Sequence, residues 1–538
     1  MSGPTRQTGA IRMDWLSRYA ELSEMMLRVC RLCPRLPVLG ISILHPRHAP
    51  PPAQLRLMRE LDAPAGPRRR PPSLAGLVVR WLRCVVFAGH VTLRLGVLNV
   101  RFRSALKRLN REPARVLMRT WCFGPPSPET TDDFYYGILP QQLDERGVSS
   151  VLLCGDTRER FDSAFARAVL RHPKTRRVPE QLLVPIWAPL ALAWKQLATA
   201  IALRKLALQA DTDRFAAVCA AACTGSIQPS TLCNTLQFYI ARSAVKRWRA
   251  GVFVTFYEGQ PWERAAWLGA RAANPACLLV GYQHTVLKPF SVSVVSPQQT
   301  PWQPATPDVV LCLGEVTRRM MAKGHEPFGS RLVPFGRCRR MEDDRGPLPP
   351  RPDRRTVLVI PEGILTECQL LFDLAMQVAS RLPDHHFIFR CHPVLPFKEI
   401  RAHLREAPER LQNIEVSEQN SLATDCARSS VALYRGSSTV LYAVRHGLRP
   451  IYAHDDLFPD ADPLFALTQW RQTVRSPEDL LDGLQHYAAT PEAEAIAQWR
   501  LCVSYVNDYT KPVDEASLDR FLDAAGLRNG GGRLTCGA

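Results

Sequence analysis

The sequence has no repeated CxxC pairs and no regular cysteine spacing; its 16 cysteines are scattered along the chain. That excludes a disulfide scaffold and a clustered zinc site. In a chain of 538 residues it leaves reduced, mostly buried thiols in a cytosolic setting as the expectation. Zinc-finger spacing, an RNP-like aromatic motif and a helix-turn-helix signal are also missing, so nucleic acid is not the expected partner. The N-terminus has no clean apolar core followed by a small-residue cleavage site, and no signal peptide is expected there. No repeat of fixed period stands out. Uninterrupted apolar runs are scarce as well. The nearest, LLVPIWAPLALAWKQLATAIAL (182–203), carries Lys195 and is broken by Pro185 and Pro189, so it reads as a buried or interfacial helix rather than a span.

Acidic residues are the other shortage, and it is local. Residues 1–120 hold 6 Asp/Glu against 22 Lys/Arg, so about +16 of the formal charge of +19 lies in that segment. A basic segment on a nearly neutral body reads as an adhesive region, not a basic active site. SLAGLVVRWLRCVVFAGHVTLRLGVL (73–98) mixes Arg with Leu, Val, Trp and Phe, as interfacial helices do. The expected anionic partner is therefore the cytoplasmic face of a membrane. The rest is ordinary globular material, with 46% hydrophobic residues and length for more than one core.

Residues 1–112 read as a basic, helical N-terminal extension, with the Pro/Arg-rich 45–73 as a linker. From about 113 to 340, short β-rich runs alternate with helical patterns: ARVLMRTWCF, VSSVLLCGD, GVFVTFYEG, CLLVGYQHT, PDVVLCLG and SRLVPFG. RCRRMEDDRGPLPPRPDRR (337–355) reads as an interdomain linker. A second alternating series fills 356–500, and 501–538 reads as a C-terminal helix with a disordered tail, NGGGRLTCGA. The fold class expected is α/β, two doubly wound Rossmann-like domains that face a cleft, with ligands beyond the carboxyl ends of the strands.

Every residue with candidate chemistry stands at such an end. HHFIFRCHP closes a strand with Arg390, His392 and Pro393. SSVALYRGSS closes another with Gly436, Ser437 and Ser438, where a helix starts. PEGILTECQ repeats the layout with Glu362 and Gly363. Together they offer helix caps, a cation and a histidine, a suitable nucleotide-diphosphate cradle without metal. In the first half, Glu258 ends one strand and His284 ends the next. A carboxylate or an imidazole can take the proton of an attacking hydroxyl. Glu258 is the expected base, with His284 orienting the acceptor or steadying leaving-group charge.

The HP after a strand, the SS opening a later helix and the strand-end QHT…K resemble glycosyltransferases of the GT-B fold. The pattern is similar to bacterial surface-carbohydrate and capsule enzymes, among them bacterial sialyltransferases, Kdo transferases and CDP-glycerol glycerophosphotransferases. The resemblance spans roughly 113–500. It implies that His392, Ser437 and Ser438 contact the donor phosphate. It also implies that His284 matches the histidine of the polymerases' HG-x-x-LK, here HTVLK with Thr285 in the glycine's place. Glu258 falls where sialyltransferases carry an acidic pair before glycine, but the first acidic position is Tyr257 here.

On this resemblance the chain is expected to be a metal-independent, peripheral-membrane glycosyltransferase. It would take a nucleotide-sugar donor, with a CMP-activated sugar in view, and a surface-glycan or lipid-linked acceptor, without any cofactor. A CDP-alditol phosphotransferase or a nucleotide-sugar epimerase on the same scaffold remains open, as does a non-catalytic scaffold of capsule assembly. The plainer readings are that Glu258 pairs with an arginine such as Arg264, that Ser437 and Ser438 only cap a helix, and that Trp262 and Glu263 only support one. Asp460 and Asp462 in DLFPDAD mimic a metal-binding DxD but lie in a Pro-broken loop and are read as structural.

Overall fold

The protein, described here from a computed structural model, is defined over residues 14–45, 52–62, 70–109, 112–126, 132–158, 161–172, 175–295, 306–326, 329–339, 346–456 and 458–528. It divides into two compact units. The larger comprises Leu22–Leu287, Ser291–Asp344 and Asn507–Ala538; the smaller comprises Met1–Glu21, Lys288–Phe290 and Arg345–Val506.

The larger unit holds a seven-stranded parallel sheet of β1 (Val116–Cys122), β2 (Ser150–Asp156), β3 (Arg177–Pro179), β4 (Val252–Phe256), β5 (Leu278–Tyr282), β6 (Val309–Cys312) and β7 (Arg331–Pro334). Their order is β3-β2-β1-β4-β5-β6-β7. Nearly every strand residue is buried, as a parallel sheet covered on both faces requires. Alternate residues separate cleanly between two cores. Leu117, Val151, Phe253 and Leu279 pack under the helices Leu74–Leu109, Ala188–Leu208, Pro229–Trp248 and Pro261–Ala273. Val116, Leu152, Val254 and Val280 face Leu139–Glu145, Ser163–Leu170 and the C-terminal helix Glu515–Ala524. Each such side chain contributes roughly 1.5–3 kcal/mol on burial.

The smaller unit holds a six-stranded parallel sheet of β8 (Thr356–Pro361), β9 (His386–Arg390), β10 (Ile414–Ser417), β11 (Val431–Arg435), β12 (Arg449–Ala453) and β13 (Gln472–Val474), in the order β10-β9-β8-β11-β12-β13. Both sheets are doubly wound α/β, as the alternation of runs predicts. In each, strand order reverses once: between β1 and β4, and between β8 and β11. Such switch points are where open parallel sheets bind ligands.

The sequence reading departs from the structure in places. The N-terminal region is not only an appendage: Pro37, Val38, Leu39 and Gly40 are fully buried, and Asn234 Nδ2 donates to the Gly40 carbonyl at 3.0 Å. Within the expected linker 45–73 lies a helix, Pro52–Asp62, whose Leu57 and Met58 are buried. The chain returns to the larger unit at Asn507, and Leu518 and Phe521 join its core, so the C-terminal helix is structural there. β3 and β13, three residues each, escape the pattern reading because an alternation needs more length to show. Residues 340–345 of the expected linker and the tail 529–538 lie outside the described residues. The chain does hold one CxxC, CRLC at 30–33, and both of its thiols are free and buried. None of the other described cysteines is in a disulfide, and only Cys391 among them is partly exposed.

Candidate active site

In the larger unit β4 and β5 are parallel neighbours, with Phe256 beside Tyr282. Glu258 and His284, two residues beyond each strand, therefore emerge side by side. Nε2 of His284 lies 2.8 Å from Oε1 of Glu258, a close contact outside hydrogen-bond alignment. The two side chains are 14% and 18% exposed, so a ligand can reach them while bulk water is largely excluded. Tyr135 and Phe256 set their rings edge-on to the imidazole, at 5.1 and 4.8 Å between centroids. Gln260 Nε2 donates to Glu258 Oε2 at 3.2 Å.

What holds this loop is Glu263. Its buried carboxylate accepts from the backbone N–H of Glu258 at 3.1 Å and of Gly259 at 3.0 Å. Burial and the neighbouring Glu258 push its pKa well above the usual carboxylate range. Gly259 has φ +78°, a left-handed conformation that glycine adopts without strain. Tyr257, the residue standing where an acidic pair would begin, points to the opposite face and packs on Trp267 and His325. Strand alternation thus sends 257 into the core and 256 and 258 to the site. The second carboxylate near Glu258 comes instead from the following helix. At the rim, Phe123 and Phe134 are 59% and 45% exposed and touch edge to face at 5.0 Å. Arg339 stacks over Phe134 at 4.3 Å.

In the smaller unit β9, β8 and β11 are adjacent, and their carboxyl ends bring His392, Glu362, Gly363 and Gly436 together. A Cβ on Gly363 would stand 3.0 Å from His392 Nδ1, and one on Gly436 would collide with Oε2 of Glu362. Gly436 also has φ +73°, so glycine is required twice over. His392 Nδ1 accepts from the Val394 N–H at 3.3 Å, which leaves Nε2 to carry the proton. Partial desolvation lowers its pKa against the pull of Glu362. Lys288 Nζ donates to Glu362 Oε2 at 2.7 Å. Behind them Glu367 lies 3.8 Å from the Arg435 guanidinium. Burial, then Glu362, raises the Glu367 pKa to about 7, against the pull of Arg435 and Lys288.

The two serines differ. Ser437 is buried, and its Oγ accepts from the Thr439 N–H at 3.4 Å; Ser438 is exposed and makes no side-chain cap bond. The helix they open, Thr439–Arg445, has only seven residues. Arg390 Nη1 donates to Asp425 at 2.6 Å and to the Asn420 carbonyl at 2.8 Å, so its charge is taken up locally. Pro393 follows His392 in an exposed turn. Glu258 meets His284. Asp462 is buried between the Tyr434 hydroxyl, at 2.6 Å, and Arg471, the structural role expected of that loop. Among the described residues no group of three or more His, Cys, Asp or Glu is placed to hold a metal ion.

Sequence reasoning missed Glu367, treated Glu263 as helix support alone, and quoted Lys288 in HTVLK without placing it in the site. The signal for Lys288 was its spacing from His284. Glu367 had none, since a glutamate two residues into a helix normally faces solvent.

No protein-family model matches the sequence, and no curated protein does. Among solved structures the chain is similar to UDP-GlcNAc 2-epimerase from Neisseria meningitidis bound to UDP-GlcNAc (TM-score 0.44, 11% identity, 77% of this chain and 100% of that one). It is similar to the glycosyltransferase of kitacinnamycin (TM-score 0.43, 14% identity, 77% of this chain and 99% of that one). It is also similar to the glycosyltransferase SnogD from Streptomyces nogalater (TM-score 0.37, 16% identity, 76% of this chain and 99% of that one).

Proposed function

We propose that the chain is a metal-independent glycosyltransferase of the GT-B type. It would move a sugar from a nucleotide-sugar donor to a hydroxyl of a surface-glycan or lipid-linked acceptor, on the cytoplasmic side of a membrane. One observation carries the reading: the Glu258 carboxylate and the His284 imidazole lie 2.8 Å apart at the carboxyl ends of adjacent strands, with β4 at the sheet's switch point.

A base with its orienting partner in a partly dry, aromatic-walled position suits deprotonation of an alcohol. Glu258 takes the acceptor hydroxyl's proton as the oxygen attacks the anomeric carbon. The bond from that carbon to the donor phosphate oxygen breaks, and the nucleotide leaves with the electron pair. Glu263 acts as a positioning residue by fixing the Glu258 and Gly259 backbone. Phe123 and Phe134 offer apolar ring faces suited to a sugar ring or a lipid-linked acceptor. The smaller unit's cluster suits the donor. The His392 Nε2–H and the Lys288 ammonium meet phosphate oxygens, Glu362 accepts ribose hydroxyls, and Gly436 permits close approach.

The test is a thermal-shift screen of CMP, CDP, UDP and GDP, followed by nucleotide release from the matching sugar donor with and without acceptors. A ligand bound only to the folded state raises Tm with RT ln(1 + [L]/Kd). The expected result is one nucleotide that stabilises and a release that needs acceptor. Release without acceptor, together with inversion of a sugar centre, would favour the epimerase. No stabilisation by any of the four would leave the non-catalytic scaffold.

A further inference from the structure

The helix Leu74–Leu109 is apolar on two opposite faces. One stripe, Leu77, Cys84, Ala88, Val91, Leu95 and Leu98, is buried, and from Ala88 onward it packs into the sheet core with Leu117 and Val151. The opposite stripe is fully presented: Leu82 is 50% exposed, Val86 74%, Leu93 69%, Val97 55% and Val100 82%. The 36 residues carry seven Lys/Arg, all exposed, and no Asp or Glu. The helix Ala188–Leu208 lies alongside. Trp81 Nε1 donates to the Ala193 carbonyl at 2.9 Å, Trp81 and Trp194 pack at 4.5 Å, and Arg204 Nε donates to the Pro72 carbonyl at 3.0 Å. Its own outer stripe continues the apolar surface with Trp187, Leu190, Trp194, Ile201 and Leu208. Exposed apolar patches rimmed by polar residues mark protein–protein or membrane interaction sites.

We propose that these two helices form a face that docks in the plane of an anionic lipid bilayer. Charge complementarity selects this occupant: the patch is interleaved with cations and free of carboxylates, and exposed tryptophans sit where interfacial aromatics do. By composition, Leu74–Ala105 is long and apolar enough to cross a membrane. At about 1.5 Å per residue, however, the helix runs about 54 Å, well beyond a hydrocarbon core of roughly 30 Å. Its inner stripe is also committed to the core beneath the seven-stranded sheet. The helix lies on the bilayer and buries only its outer stripe. This docking is independent of the chemistry proposed above, and its test reads no turnover.

The full chain is mixed with vesicles of phosphatidylcholine, with and without 30 mol% phosphatidylglycerol, and floated on a gradient. We expect flotation with the anionic vesicles, loss of at least tenfold in partitioning between low and high salt, and release by alkaline carbonate. The double substitution Val86→Gln with Leu93→Gln, at two solvent-facing positions, should weaken partitioning at least tenfold with Tm unchanged. Should that variant misfold, brominated acyl chains should still quench the tryptophan fluorescence of the wild-type protein. No flotation in either vesicle, undiminished flotation of the folded variant, or resistance to carbonate would each overturn the proposal. So would a self-associated form that covers the patch and does not bind vesicles.

Discussion

The two strand-end clusters are built from similar residue types to different ends. In the larger unit a carboxylate and an imidazole meet at 2.8 Å among aromatic rings, and a buried glutamate pins the loop that carries one of them. In the smaller unit Glu362 and Glu367 crowd Gly436, His392 lies against Gly363, and Lys288 holds Glu362. The first arrangement sets one carboxylate against an imidazole on a loop held by a third side chain. The second gathers charged side chains around bare backbone. The contrast teaches that a histidine at a strand end means little until its partner is known. His284 has an acid for a neighbour and His392 a backbone N–H.

If the division of labour holds, substitutions should separate by kinetic parameter. Glu258→Gln keeps the shape of the side chain and removes its basicity. It should lower kcat by about 10²–10⁴-fold, the usual worth of a general base, while the donor nucleotide's thermal shift stays at the wild-type value. A variant within threefold of wild type would remove the larger unit from the chemistry. Gly436→Ala probes the other side. Its Cβ would run into Glu362, and its φ of +73° costs an alanine roughly 1–2 kcal/mol. Donor KM should rise about tenfold or more, with a smaller change in kcat. If instead kcat alone fell, the assignment of donor to the smaller unit would fail.

Much of this was legible beforehand. The alternation of apolar runs and helices fixed thirteen strands to within two, and GVFVTFYEG and CLLVGYQHT placed Glu258 and His284 at neighbouring ends. What pattern could not show was partnership through space. Arg390 stands beside His392 in sequence, yet Asp425, thirty-five residues on, neutralises it. Glu263 looks like an ordinary acid in the first turn of a helix. Only the turn at Gly259 reveals that it caps the loop behind it. The N-terminal region reads as a basic helical extension, and its charge does not show that the short apolar segment PVLG packs among helices far along the chain.

The subtlest difference between the clusters is in how they answer pH, and Glu367 carries it. Burial and the adjacent Glu362 raise its pKa from 4.5 to about 7. A carboxyl that holds its proton more tightly when folded stabilises the fold fully below the unfolded pKa, and that contribution is lost as pH rises through the folded value. Stability should therefore fall between about pH 4.5 and pH 7 and then level off, and Glu367→Gln should flatten that slope. The same ionisation adds a negative charge beside Gly436, where an anionic donor would sit. Donor KM should rise severalfold between pH 6 and pH 8 in the wild type and stay near its low-pH value in Glu367→Gln, with kcat following the larger unit instead. A wild-type KM that is flat over that range, or a Glu367→Gln profile as steep as the wild type's, would mean that the donor does not rest against this carboxylate.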